Sequence, residues 1–115
     1  MPGPVLNVRF FTTESGSEPV REWLKALPAS ERRLIGEEIK TVQFGWPLGM
    51  PLVRKLAKDL WKVRIHLSGR IARVLFTVFD HDMILLHGFI KKSQTTPQEA
   101  LYAAKRRLQQ LGSFR

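Results

Sequence analysis

The chain contains no cysteine and a single tyrosine among its 115 residues. Disulfides and thiolate-bound metals are therefore excluded, and nothing about a redox compartment follows from thiol usage. Long apolar runs are missing too: no stretch nears the roughly 18 residues that a membrane span needs. The opening MPGPVLNVRF lacks the basic and apolar regions of a secretory signal. A cytoplasmic protein with no membrane partner is the expectation. Phosphate-binding glycine loops, dinucleotide fingerprints, paired metal-binding histidines and Ser–His–Asp arrangements are also absent, so neither a cofactor nor a metal site is expected. The last scarcity is acid. Ten Asp and Glu face nineteen Lys and Arg, giving a net charge of +9 and an isoelectric point near 10.7. That imbalance favours a polyanionic partner, nucleic acid first and an acidic protein second.

What is present reads as one α+β domain covering residues 1–115, with ordinary hydrophobic (43%) and charged (25%) fractions. Residues 5–11 are rich in β-formers and follow Pro and Gly, which predicts a first strand. Ser17 reads as an N-cap with Pro19 in the first turn. Val20, Trp23, Leu24 and Leu27 then recur at helical spacing. Pro28-Ala29 interrupts, and Ser30 reads as the cap of a second helix. Leu34, Ile35, Ile39 and Val42 form its buried stripe, and Gly45 ends it. So short a connection predicts an antiparallel helical hairpin. The Gly- and Pro-dense stretch 45–51 is a loop in which Trp46 and Met50 could plug the core edge. A short extended piece at 53–56 and a Lys58-Asp59 turn lead to a three-strand antiparallel meander over 60–92. A C-terminal helix closes the chain, announced by Thr96, Pro97 and Glu99 as a capping box. Its apolar stripe is Ala100, Leu101, Ala104, Leu108 and Leu111.

The register of the meander can be argued from pattern. A two-residue Ser68-Gly69 turn sets Leu67 opposite Arg70, Ile65 opposite Ala72, Val63 opposite Val74 and Trp61 opposite Phe76. Slipping by one residue would turn these apolar side chains into water. The same register puts Arg64 across from Arg73 on the other face. A three-residue loop, Asp80-His81-Asp82, would next pair Val78 with Ile84, Phe76 with Leu86 and Ala72 with Ile90 on the apolar face. It would also pair Leu75 with His87, Arg73 with Phe89 and Ile71 with Lys91 on the other. Lys62, Arg64, His66, Arg73, His87 and Lys91 then share one face with Phe89.

Opposed like charges on a sheet are unfavourable by up to about 1 kcal/mol. Two facing arginines are best explained by an anion held between them, and the planar guanidinium fork suits phosphate. The bland alternative is a carboxylate reaching over from Glu37 or Glu38. Phe89 could stack a nucleobase or belong to the core. His87 could carry a proton or be merely hydrogen-bonded.

The segments VRKLAKDLWKVR, RIARVLF and ILLHGFIKKSQTTPQEALYAAKRR, in an order of strand, helical hairpin, meander and helix, resemble the RelE/ParE superfamily of small bacterial toxins. Within it they resemble the phage-derived, HigB-like branch. The resemblance implies a RelE-like fold and the toxin of a type II toxin–antitoxin module. It implies cleavage of mRNA, typically on the ribosome, by metal-free attack of a ribose 2′-OH on the adjacent phosphate. It also implies a small helix-turn-helix antitoxin as partner. Arg64 and Arg73 would clamp the phosphate, with Lys91, Lys92, Lys55 and Lys58 adding positive charge or moving protons. His87 or Tyr102 would act as acid or base, and Lys62, Phe89 and Tyr102 would contact RNA. The sequence departs from the branch at Lys62, where an acid is common, and at Phe76, near which an aromatic hydroxyl is common. The superfamily's other arm implies a non-enzymatic gyrase poison, and an inactive antitoxin-binding relative is the third reading.

Overall fold

The computed structural model describes residues 3–49, 51–91 and 97–114, with Ser113 and Phe114 described by backbone alone. Five strands and three helices follow in the order β1 (Asn7–Phe10), α1 (Pro19–Lys25), α2 (Ala29–Gly45), β2 (Val53–Ala57), β3 (Leu60–Leu67), β4 (Arg70–Phe79), β5 (Asp82–Ile90) and α3 (Gln98–Phe114). The strands make one mixed sheet in the order β1-β5-β4-β3-β2. Only β1 runs parallel to its neighbour, β5; the other pairs are antiparallel. The α+β class, the N-terminal strand, the meander and the C-terminal helix all stand as expected.

Two helix starts differ from expectation. Glu18, not Ser17, holds the cap position of α1, and it makes no side-chain cap hydrogen bond. The Ser17 hydroxyl is instead 2.9 Å from that of Thr13, and the Ser17 amide donates to the same Thr13 oxygen. The turn before the helix has taken the group that would have capped it. Ser30 lies inside the first turn of α2, because the cap position falls on Pro28, whose carbonyl accepts from the Arg32 amide at 3.0 Å. The proposed cap Thr96 and the proposed plug Met50 fall outside the described residues.

α1 packs on β5 and α2 on β3, with β4 between them. Two strand spacings, about 9.6 Å, match the distance at which neighbouring helices lie. This layer buries Val20, Ile35, Ile39 and Val42 against Val63, Ile65, Val74, Phe76, Met83 and Leu85. Trp46 seals its edge, its ring edge-on to Trp61 at 5.2 Å and to Phe76 at 5.8 Å. Gly88 lies under Trp23: a Cβ there would sit 2.4 Å from Trp23 Cε3. Only a residue without a side chain lets the indole lie this close to the strand.

The β3–β4 hairpin pairs as the pattern predicts, from Trp61 with Phe76 to Leu67 with Arg70, and Gly69 takes the positive φ (79°) of its turn. The β4–β5 hairpin follows the expected pairing only from Ala72–Ile90 to Leu75–His87. The register then shifts by one between Leu75 and Phe76, so that Phe76 meets Leu85 and Val78 meets Met83. The connection is a two-residue turn, Asp80-His81, with Asp80 at φ 55° and Phe79 paired with Asp82. The bulge at Leu86 corrects the expected positions of Ile84 and Leu86. Both join Phe11, Leu60, Leu75 and Ala104 in a second core, between the sheet and α3. The face opposite α1 and α2 is thus half covered. α3 lies over β5 and β4, and among the described residues no helix is comparably packed over β2.

Candidate functional site

The open part of that face is a cleft of about 180 Å³ lined by Pro51, Leu52, Arg54, Lys62, Arg64, Arg73 and Lys91. Sheet register puts these cations together. Arg64 is the direct partner of Arg73, and Arg54 is the direct partner of Lys62 one row away. Lys91 enters from the end of β5, where its amide donates to the Ile71 carbonyl at 2.7 Å. The Arg64 amide donates to the Leu52 carbonyl at 2.9 Å, which fixes the cleft's outer wall.

The cations are held close and kept partly dry. Lys62 and Arg73 are 8% and 3% exposed, although Lys and Arg side chains are rarely this buried. Burial, followed by the charges of Arg73, Arg54, Lys91 and Arg64, pulls the Lys62 amine from its usual 10.5 down to about 8. Burial and the Arg64 and Arg54 charges depress Arg73, and the same kind of crowding depresses Lys91. The Arg64 Nε is buried with no hydrogen-bond partner among the described residues. Among the described residues no acid lines the cleft. Glu37 and Glu38 border a separate depression beside Leu34, Ile65 and His66, and Glu31 is paired with Arg70, whose Nε donates to it at 2.9 Å.

Crowded like charges repel one another, and an anion placed among them would offset that repulsion. Three guanidinium forks and two amines around one cleft present donors suited to several oxygens of a phosphodiester.

The other residues singled out in the sequence lie elsewhere. Lys55 sits on the opposite face, its Nζ 5.7 Å from the Trp61 ring centroid. Lys58 is exposed in the β2–β3 turn. His87 lies beneath α3, where Arg107 Nη1 is 3.2 Å from its Nδ1 and donates to the Leu86 carbonyl at 2.6 Å. Burial and the Arg107 charge hold the His87 pKa below 6.5. Phe89 stacks on His87 at 5.8 Å and packs against the second core. Tyr102 is 68% exposed on α3. Lys92 lies outside the described residues.

Arg54 was not anticipated. Continuing the pairing outward from the Lys58-Asp59 turn without a break would set Lys55 beside Lys62. A register shift between Lys55 and Ala57 sets Arg54 there instead. One signal was available in the sequence. Val53 has to meet Val63 on the buried face, as it does, and this turns Arg54 toward the cleft.

One open sheet surface of this α+β domain thus gathers five cations and, among the described residues, no acid. The chain belongs to the family of phage-derived Gp49-like proteins (DUF891), whose model matches residues 22–109 and so spans every residue of the cleft. That family is associated with RelE-type toxin modules. No curated protein matches the chain. Among the described residues no group of three His, Asp or Glu is placed to hold a metal ion, and no helix is long and apolar enough to cross a membrane.

Proposed function

We propose that the chain is the toxin of a type II toxin–antitoxin module of the HigB-like kind, and that it cleaves mRNA on the ribosome with the scissile phosphate seated in the cationic cleft. The observation that carries this reading is the convergence of Arg54, Lys62, Arg64, Arg73 and Lys91 on one open surface. In the proposed reaction the ribose 2′-oxygen attacks the adjacent phosphorus and the bond from phosphorus to the 5′-oxygen breaks. The products are a 2′,3′-cyclic phosphate and a 5′-hydroxyl. Arg64 and Arg73 bind the non-bridging oxygens and stabilise the added charge of the transition state. Lys62, with its amine near pKa 8, is neutral in roughly a tenth of molecules at pH 7 and accepts the 2′-OH proton. Lys91, at the cleft's edge, donates a proton to the leaving 5′-oxygen. His87 takes no part, because Arg107 and α3 hold it away from the cleft. The partner that silences the site is a small helix-turn-helix antitoxin presenting an acidic surface to it.

The test is 5′-end mapping of transcripts after induction, with and without translation. The wild-type chain is expected to produce new 5′-hydroxyl ends that depend on translation, and Arg64→Ala/Arg73→Ala is expected to produce none while keeping its melting temperature. Full cleavage by the double variant would remove the proposed site. Intact transcripts with trapped DNA breaks would replace RNA cleavage by gyrase poisoning.

A further inference from the structure

A second basic surface lies across α3 from the cleft. Tyr102, Lys105, Arg106 and Gln109 recur at i, i+3, i+4 and i+7, which places them on one outer stripe of the helix. All four are exposed, and Tyr102 is the most exposed large side chain of the apolar and aromatic set among the described residues, at 68%. Two depressions flank it. One is lined by Lys105, Arg106 and Gln109, and the other runs toward Phe11 and Thr13 past Arg106 and Gln110; Tyr102 and Arg106 wall both.

The ordinary explanations of a charged helix face do not account for this stripe. Surface helices gain support from acid–base pairs three or four residues apart, but the neighbours at those spacings from Lys105 and Arg106 include no acid. Basic residues also favour the negative end of the helix dipole, an effect confined to the last turn; the last turn of α3 holds none. Arg107, next in sequence, is already used, since it reaches inward to Leu86 and His87. What remains is an exposed aromatic ring with two outward cations beside it and, among the described residues, no acid lining either depression. A flat ring takes a base, and a guanidinium and an ammonium take the phosphates on either side.

We propose that this face of α3 is a second nucleic-acid contact. It binds a single-stranded RNA segment by stacking an unpaired base on Tyr102 while Lys105 and Arg106 hold flanking phosphates. The reading rests on RNA being the proposed substrate, and it adds a docking surface remote from the cleft. Single-stranded RNA is the occupant because stacking on Tyr102 needs a base free of its duplex. An acidic protein would leave the ring without a role.

The test is fluorescence anisotropy of the full chain with a labelled 2′-O-methyl RNA of about 12 nucleotides, within the range of single-strand site sizes, which cannot be cleaved by 2′-OH attack. Tyr102→Ala is expected to weaken binding about 5- to 100-fold, and Tyr102→Phe to keep it. Lys105→Gln/Arg106→Gln should flatten the slope of log K against log salt by about 1.4. A duplex of the same sequence should show no dependence on Tyr102. Unchanged affinity for Tyr102→Ala overturns the proposal, as does an equal loss for the duplex or for Tyr102→Phe. Arg64→Ala/Arg73→Ala, measured in parallel, separates the two sites. If it retains affinity while Tyr102→Ala loses it, the α3 contact stands and the cleft reading fails; the converse sinks the α3 contact alone.

Discussion

Lys62→Met is expected to stabilise the protein while abolishing its activity. In the folded chain the Lys62 amine is pulled from 10.5 to about 8 by burial and by four neighbouring cations. Each pKa unit corresponds to about 1.4 kcal/mol. After allowing for solvent at the cleft mouth, keeping Lys62 charged costs on the order of 1–3 kcal/mol. Methionine has a similar unbranched length and no charge, so the substitution should raise stability by about that amount and Tm by several degrees. The gain has a set pH dependence. Below pH 8 the lysine is protonated in both states and the folded chain bears the full cost. As pH rises from 8 toward 10.5, the folded amine gives up its proton before the unfolded one does, and the advantage of methionine shrinks. Inorganic phosphate should raise the Tm of the wild-type chain by mass action, and do so less for the variant. The measurement is thermal unfolding followed by circular dichroism from pH 6 to pH 10. A variant no more stable than wild type at pH 7, or a gap that ignores pH, would refute the picture of a cleft whose cations repel one another.

Gly88→Ala puts a methyl group 2.4 Å from Trp23 Cε3 and 2.5 Å from Cζ3; a loss of about 1–3 kcal/mol is expected in urea unfolding. Trp23→Leu in the same chain should recover part of it, and a neutral Gly88→Ala would show that the indole does not lie against the strand. His87 gives a second pH dependence, of opposite origin to an acid's. Because burial and Arg107 hold its folded pKa below 6.5, the unfolded chain takes up a proton first as the pH drops. Stability should therefore decline below about pH 6.5 and level off once the folded histidine is protonated too. Tm recorded from pH 7 to pH 5 should lose this component in His87→Gln, and an unchanged slope in that variant would assign it elsewhere.

The pairing of Arg64 with Arg73 was legible because period-two alternation and one short turn leave a single register that buries Val63, Ile65, Val74 and Phe76 together. What escaped was decided by two single-residue irregularities. The bulge at Leu86 moved Ile84 and Leu86 to the α3 side. The shift after Lys55 chose Arg54 over Lys55 for the cleft. The first does not follow from alternation, since a bulge is selected by which apolar residues find a partner layer, and that layer here is a distant helix; the second was signalled only by the need to pair Val53 with Val63. His87 and Phe89 share the cleft's face by parity, but only the placement of α3 shows that they are roofed over. The Ser17 cap failed for a local reason: the Thr13–Ser17 turn used the Ser17 side chain.

The parallel pairing of β1 with β5 bears on the order in which the chain assembles. The β2–β3 and β3–β4 hairpins close short loops and can form early, whereas β1 must wait for the last strand before it gains a neighbour. Arg64 and Arg73 meet as soon as β3 and β4 pair, but Lys91 arrives only with the end of β5. During N-to-C synthesis a partly made chain thus carries the facing arginines well before it carries the finished cleft. For a protein proposed to act on the ribosome, this delays competence until nearly the whole chain has emerged.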